Sequence, residues 1–139
     1  MTSFVRDQFE TVWPQVFDTN AERGGVVVAT AEGLAFRAIP NAARFPRHEF
    51  TFDGDAMLAC LRQGEIFALV HGHPQGSAHL SARDKDGFAP YAGGQRVELF
   101  PRAQIWVFAV ESNQRVGRGF VFRDGRFVLH DEVVGSLAG

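Results

Sequence analysis

The feature that most constrains the fold is a run of apolar residues that ends at a histidine. Positions 66–70 read Ile-Phe-Ala-Leu-Val, without a polar residue, and His71 follows at once. Runs of this kind are typical of strands that are buried on both faces in the middle of a sheet. We therefore expect the centre of a sheet to end at a histidine side chain.

The segment before residue 20 predicts a helix with a defect. Thr2 and Ser3 stand at its start and can cap it. Pro14 falls inside the pattern, so we expect the helix to bend or break there. The apolar residues that recur at helical spacing are Val5, Phe9, Val12 and Val16.

Further strand-like and helical runs follow along the chain. A helix is expected after Asp53 or Asp55, with Cys60 inside it and Gly64 as its stop. The polar, glycine-rich stretch 72–95 is expected to be a loop region. The predicted strands are 25–30, 34–39, 50–52, 66–70, 103–110, 116–122 and 127–130, with turns at 31–33, 112–114 and 124–125.

Together these elements predict an α/β (α+β) fold, with two or three helices flanking one curved mixed sheet of six or so strands. The chain has 139 residues, of which 45% are hydrophobic, and neither a repeat nor a linker divides it. We expect a single domain over residues 1–139 with enough apolar material for its own core.

Composition limits the compartment and the partners. The longest apolar runs, 24–29 and 105–110, are far shorter than the about 18 residues of a transmembrane helix. Charged residues such as Arg6 and Glu10 stand where a secretory signal needs an apolar core, so we expect a cytoplasmic location. The single cysteine, Cys60, excludes a disulfide framework and a zinc site that takes two cysteines from this chain. The net charge of -2 is spread without blocks, so neither nucleic acid nor a membrane is an expected partner.

The chemistry is concentrated directly after the central apolar run. His71 and His73 are two positions apart, so at the end of a strand their imidazoles point to the same side and can share one ion. Such a pair alone arises by chance in roughly one chain of this composition in six. Requiring Pro74, Ser81 and Asp84 at their offsets reduces the chance to the order of 10⁻⁵, so the combined pattern is specific.

This pattern resembles that of the JAMM metalloproteases, also called MPN+ domains. Their motif is an upstream Glu, then HxH, ten residues and Asp, and His71, His73 and Asp84 have that spacing. Glu22, which precedes a glycine and valine run, is similar to the family's upstream Glu. The resemblance extends over about residues 20–110 and includes the landmarks Pro40-Asn41 and 50–53. It departs at two positions that are not ligands, Gly24 and Leu80.

The resemblance implies an MPN-like fold in which His71, His73 and Asp84 hold Zn²⁺. Three protein ligands leave the fourth position of a zinc ion to water, which is the arrangement of a catalytic site. At such a site Glu22 would take the proton of the water and pass it to the departing amine. The Ser81 hydroxyl would donate to the developing oxyanion.

Structural interpretations compete for several of these residues. Ser81 and Asp84 also match a helix-capping box, and both roles can coexist. Glu32, in a predicted turn, competes with Glu22 as the carboxylate base. His79 is either an accessory ligand or a solvent-facing loop residue. The other candidates are expected to carry no chemistry: His48, His130 and, as a core residue, Cys60.

The predicted function is that of a zinc-dependent peptidase or isopeptidase, in which a zinc-activated water hydrolyses an amide bond of a protein or peptide. The resemblance implies several substrates: the C-terminus of a ubiquitin-like protein, a sulfur-carrier precursor or, as in phage tail-assembly relatives, a structural protein or cell-wall peptide. The alternative is a non-catalytic MPN-type scaffold, although scaffolds are expected to lack a ligand. Cupins need a Glu near position 77, where Ser77 stands, and amidohydrolase barrels need about 200 residues or more.

Overall fold

Six strands form one open mixed sheet. The structure, a computed structural model, describes residues 3–92 and 103–137. The strands lie in the order β2-β1-β3-β4-β5-β6, with β3 and β4 parallel and all other neighbours antiparallel. The predicted α/β fold is confirmed, and the apolar run 66–70 lies in an inner strand. The strand bounds are β1 Gly24–Thr30, β2 Gly33–Ile39, β3 Ile66–Gly72, β4 Gln104–Glu111, β5 Gln114–Arg123 and β6 Arg126–Ser136.

Helices cover both faces of this sheet. In the described part of the chain they are α1 Phe4–Asp7, α2 Phe9–Val16, α3 Gly54–Gln63 and α4 Ala82–Ala92. Helices α1 and α2 pack on one face in a cluster with Val70 and Phe108, while α3 and α4 pack on the other with Val26 and Leu69. The predicted two or three helices are four here, because the N-terminal helix is divided and α4 is additional. None of the four is long and apolar enough to cross a membrane.

The N-terminal helix breaks at Gln8 and not at Pro14 as predicted. Gln8 leaves the helical conformation between α1 and α2, and Pro14 lies inside α2. Burial of three apolar side chains of α2 against the sheet offsets the hydrogen bond that Pro14 cannot donate. Ser3 stands at the N-cap position without a side-chain capping bond, and Thr2 lies outside the described residues.

The prediction of a loop over 72–95 is wrong for residues 82–92, which form α4. The Ser81 hydroxyl oxygen accepts a hydrogen bond from the Asp84 N–H at 3.0 Å, and the Asp84 carboxylate accepts from the Ser81 N–H at 3.0 Å. This reciprocal capping box and the burial of Phe88 stabilise a helix that Gly87 and Pro90 argue against. The parallel pair β3–β4 also needs a crossover connection, which α4 supplies. Residues 93–95 lie outside the described part.

Most of the strand predictions are confirmed, with bounds that shift at the ends; β6 is seven residues longer than its prediction of 127–130. The strand predicted at 50–52 is wrong, since only Phe52 pairs, in one bridge with Asn41. The Asn41 side-chain oxygen accepts the Thr51 N–H at 3.1 Å and so occupies a donor that a strand ladder requires. The helix predicted near residue 53 is confirmed as α3, with Asp53 as its N-cap and Gly64 at its end.

Candidate metal centre

Two histidines lie at the end of the inner strand β3. His71 is the second-to-last residue of β3 and is fully buried. Its backbone lies opposite Gly24 of β1 and Val107 of β4. His73 follows the strand, and its N–H donates to the Phe108 carbonyl at 2.8 Å. The two Nε2 atoms are 3.2 Å apart. The predicted sharing of one side by both imidazoles is confirmed.

Helix α4 carries Asp84 to these histidines. Its Oδ2 atom lies 2.9 Å from His73 Nε2 and 3.2 Å from His71 Nε2. The same oxygen accepts the Ser81 N–H, so the capping box that begins α4 also fixes the direction of this carboxylate. A residue thirteen positions beyond His71 is thereby held against the end of β3.

Glu22 reaches the cluster from the strand beside β3. Because β1 is antiparallel to β3, the start of β1 lies next to the end of β3, and Glu22 stands two residues before that start. The Glu22 backbone is held by the Pro46 carbonyl, which accepts its N–H at 2.7 Å, and by the Asn41 side chain, which donates to its carbonyl at 2.9 Å. Its ligand atom and those of the two histidines and Asp84 all lie within 4.8 Å of one another.

Close backbone approach makes this arrangement possible at Gly24. A Cβ atom at Gly24 would stand 2.5 Å from the Val70 carbonyl oxygen and 2.8 Å from Cζ of Phe50. The ring centroid of Phe50 lies 6.2 Å from that of His71, and the ring centroid of Phe88, on α4, lies 5.3 Å from it. Gly24 therefore leaves room for the aromatic side chain that shields His71 from water.

The donor atoms have the spacing of a tetrahedral ion. Bonds of about 2.0–2.1 Å to a tetrahedral zinc ion place neighbouring ligand atoms about 3.3 Å apart. The three pairwise distances among His71 Nε2, His73 Nε2 and Asp84 Oδ2 are 3.2, 2.9 and 3.2 Å. The Ser77 carbonyl accepts the His73 Nδ1–H at 2.8 Å, so the Nε2 lone pair is left to face electron-rich neighbours. A proton or a metal cation must lie between such atoms, and two nitrogens with one carboxylate are ligands that suit zinc.

Two buried polar atoms at the cluster call for an explanation. Glu22 is 6% exposed, and its Oε1 atom has no hydrogen-bond partner among the described residues. The same holds for Nδ1 of His71. An unsatisfied buried polar atom costs about 1–3 kcal/mol, so such atoms call for a functional explanation. A carboxylate beside the donor triad fits a group that bonds to water or substrate.

Burial and the neighbouring charges divide the work of the two carboxylates. Burial raises the pKa of the Glu22 carboxyl, although the two histidines oppose that shift. Burial alone would also raise the pKa of Asp84, but the adjacent rings of His71 and His73 outweigh it and hold that pKa well below its usual range. These shifts favour the ionised form of Asp84, which is the form that can bind a metal, and they favour acceptance of a proton by Glu22.

The competing residues lie elsewhere. Glu32 is exposed in the turn after β1, where the Thr30 hydroxyl donates to its carboxylate at 3.3 Å. Glu22 and Glu32 flank opposite ends of a seven-residue strand, which separates them by roughly 20 Å. His79 is exposed and not part of the cluster, as is His48. His130 is exposed on β6, and Cys60 is buried in the core, where burial raises its thiol pKa.

Sequence reasoning missed a second layer around the histidines. The Ser77 carbonyl fixes His73, and the Glu111 carboxylate accepts the Ala78 N–H at 2.7 Å and pairs with Arg118. Glu111 ends β4, three residues beyond the partner of Gly72. The parallel register of β3 with β4 places Glu111 at the same end of the sheet as the histidines. That register cannot be read from the sequence and is known only from the structure.

A cavity of about 340 Å³ opens beside the cluster. Glu22 and His73 form one part of its wall, and the loop after His73 forms another. Its remaining lining includes the exposed cationic or titratable side chains Arg47, His48 and His79. Glu22 and His73 therefore border a cavity on the surface of the protein.

No protein-family model matches the chain, and no curated protein matches it. The interpretation of the cluster rests on its geometry and on the motif residues.

Proposed function

We propose that the chain is a zinc-dependent peptidase or isopeptidase of the JAMM type, which hydrolyses an amide bond of a protein or peptide. The observation that carries the proposal is the meeting of four predicted residues at one edge of the sheet. His71, His73 and Asp84 present three donor atoms 2.9–3.2 Å apart, and Glu22 lies beside them. The chemistry of this donor set is that of an open, catalytic zinc site.

The chain holds the metal through neutral imidazole nitrogens and one carboxylate. When bound, zinc supplies a Lewis acid for the scissile carbonyl and lowers the pKa of water from about 15.7 to around 7. His71 and the Asp84 carboxylate are ligands by position. His73 is a ligand through Nε2, because its Nδ1–H is already donated to Ser77. With these three residues as ligands, one further protein group is needed for proton transfer.

Glu22 is that group. Its Oε1 atom is buried, is without a partner in the described part of the chain, and adjoins the cavity. Burial raises its pKa, which favours acceptance of a proton near neutral pH. Glu22 takes a proton from the attacking water and gives it to the departing amine, so that the carboxyl returns to its starting state after each cycle.

Ser81 has the atoms for both of its predicted roles. Its hydroxyl oxygen accepts the Asp84 N–H at 3.0 Å, which leaves the hydroxyl hydrogen free to donate. Ser81 also lines the cavity at Glu22 and His73. A hydroxyl donor in this position stabilises the oxyanion that develops when the carbonyl is attacked.

The proposed substrates are those that the family resemblance implies: a ubiquitin-like or sulfur-carrier protein that is cut at its C-terminus or, for a phage-type member, a tail or cell-wall peptide. A non-catalytic scaffold is the alternative. The buried Oε1 of Glu22, which has no partner among the residues that the structure describes, favours the enzyme, because an unsatisfied buried atom destabilises a scaffold without any benefit to it.

The test is cleavage by the zinc-loaded chain and by its Glu22→Gln variant. The substrates are ubiquitin-like and sulfur-carrier proteins with a short C-terminal extension, and the readout is intact mass with elemental analysis of zinc. We expect Glu22→Gln to retain about one zinc per chain while the rate falls by about 10²-fold or more. Glu32→Gln, the matched control, should retain both. Full activity of Glu22→Gln would exclude it as the base, and a zinc-loaded chain that cuts no substrate would favour the scaffold.

A further inference from the structure

One peptide unit joins the ligand His73 to a distant carboxylate. The carbonyl of Ser77 accepts the Nδ1–H of His73 at 2.8 Å. The N–H of the same peptide group, on Ala78, donates to Oε2 of Glu111 at 2.7 Å. The two ends of one planar amide are thus engaged, one by the histidine and the other by the carboxylate.

Glu111 is itself held by a bidentate ion pair. Arg118 donates to its Oε2 atom at 2.6 Å and to its Oε1 atom at 2.8 Å, and both side chains are partly buried. Arg118 lies on β5, where its cross-strand partner on β4 is Val107, four residues before Glu111. Strands β4 and β5 therefore fix the position of the carboxylate that accepts the Ala78 N–H.

We propose that Glu111 is a positioning residue for His73, acting through the Ser77–Ala78 peptide. A carboxylate that accepts the N–H polarises the amide, which strengthens its carbonyl as an acceptor. That carbonyl then holds the proton of His73 on Nδ1 and directs the Nε2 lone pair at the metal position. The inference rests on the zinc site proposed above and adds the group that orients one of its ligands.

A purely structural role for Glu111 predicts a different outcome. In that case the ion pair with Arg118 would stabilise the sheet edge, and loss of Glu111 would resemble loss of any other partner of Arg118. Glu132 is such a partner, since its carboxylate accepts from Arg118 Nε at 2.7 Å. No described contact joins the Glu132 side chain to the loop that carries Ser77, so Glu132→Gln is a matched control.

The experiment compares Glu111→Gln, Glu111→Ala and Glu132→Gln by zinc affinity and by the His73 ring proton. Zinc affinity is measured by competition with a chromophoric chelator. Hydrogen exchange of the His73 Nδ1–H is followed by nitrogen-15 NMR, with and without zinc. We expect Glu111→Ala to weaken zinc binding by about 10-fold or more and to accelerate the exchange, with a smaller effect for Glu111→Gln, which keeps an acceptor oxygen. Glu132→Gln should change zinc affinity by less than about twofold.

Equal effects of Glu132→Gln and Glu111→Ala, or unchanged affinity and exchange in Glu111→Ala, would overturn the proposal. If Glu111→Ala does not fold, Glu111→Gln with the same two readouts decides. If the unsubstituted chain binds no zinc, the zinc site is wrong, and the exchange of the Nδ1–H in the zinc-free chain still decides whether Glu111 positions His73.

Discussion

The two faces of strand β3 carry opposite kinds of interior. Ala68 and Val70 point to the face covered by α1 and α2, where all the clustered residues are apolar and aromatic rings interlock, as in the 5.0 Å edge contact of Phe9 with Phe108. Leu69 points to the other face, and His71, next but one along the strand, points there too, towards Asp84. Val70 and His71 are thus adjacent in the chain, yet the Val70 side chain only packs, while the His71 side chain is a candidate ligand.

The difference lies in how polar atoms are satisfied. On the α1–α2 face the buried Trp106 Nε1–H donates to the Gln104 side chain at 2.8 Å, so the layer is complete in itself. On the other face, Glu22 and His71 each keep a buried polar atom without a partner among the described residues. Such atoms destabilise the fold by about 1–3 kcal/mol each. The α1–α2 face therefore stabilises the sheet, whereas the unsatisfied polar atoms of the face that carries His71, here called the site face, lower the stability of the fold.

The largest expected effect breaks the site face alone. His71→Ala, His73→Ala and Asp84→Ala should each reduce zinc from about one per chain to below about a tenth, because two remaining ligands do not hold zinc against a weak chelator. Elemental analysis of purified, folded protein measures this. Stoichiometric zinc in the His71→Ala, His73→Ala double variant would show that the metal, if any, lies elsewhere.

Val70→Ala, at the residue next to His71, should lower the free energy of unfolding and leave zinc binding unchanged. Its fully buried side chain belongs to the aromatic layer, so truncation removes apolar contacts and leaves a small cavity. We expect the free energy of unfolding to fall by about 2 kcal/mol in urea titrations of the zinc-free chain, with zinc stoichiometry unchanged. Loss of zinc in Val70→Ala at full stability would contradict the separation of the two faces.

These contrasts show which parts of the molecule local sequence can predict. The central strand and the candidate ligands His71, His73 and Asp84 follow from a short apolar run and one spacing pattern. The length of helix α4 was missed because Gly87 and Pro90 argue against a helix, while the capping box and the crossover between parallel strands depend on tertiary structure. Gly119 gives no local signal either: a Cβ there would stand 2.5 Å from Cε2 of Trp106, its cross-strand partner.

Long-range pairing also explains why Glu22 could be nominated only through resemblance. A carboxylate 49 positions before His71 has no local feature that sets it apart from Glu32. The antiparallel register of Gly24 with His71 places Glu22 beside the two histidines and Asp84. Glu111 went unpredicted for the same reason, since its contact with Ala78 spans 33 positions.

A smaller effect should appear as a pH dependence on the site side of the sheet. The hydrogen bonds from Arg118 hold the pKa of Glu111 at about 2, below its usual 4.5, against the opposing effect of burial. A lowered carboxyl pKa contributes stability above pH 4.5 that is lost as the pH falls towards 2. The stability difference between the unsubstituted chain and Glu111→Gln should therefore shrink by about 1–2 kcal/mol between pH 5 and pH 2, after allowance for screening.

Urea titrations of both zinc-free proteins across that range measure the difference, and other titrating groups cancel in it. Glu10→Gln is the control on the α1–α2 side. The Glu10 carboxylate pairs with Arg115 at 2.7 Å but is well exposed, so water screens the pair and its pH dependence should be weaker. A difference for Glu111→Gln that stays constant with pH would mean that the ion pair with Arg118 does not stabilise the fold.

The smallest expected effects separate the two roles of Ser81. Ser81→Ala removes the cap of α4 and should lower the free energy of unfolding by about 1 kcal/mol, whereas Ser81→Gly should cost only a few tenths because glycine is tolerated at the N-cap. Both variants lose the hydroxyl donor. On a verified substrate both should therefore slow hydrolysis to the same extent, by about tenfold, which is less than for Glu22→Gln because the ion still polarises the carbonyl.

Ser81→Thr keeps a hydroxyl that caps and donates, so it should restore both quantities. His79→Ala, in the same cavity wall but outside the cluster, should change neither. The measurements are urea titration, zinc content and initial rate on the same preparations. Rates that follow stability, with Ser81→Gly close to the unsubstituted chain, would reduce Ser81 to a helix cap. Equal rate loss in the alanine and glycine variants would require the hydroxyl itself, because only that group is absent from both while the cap is weakened in one.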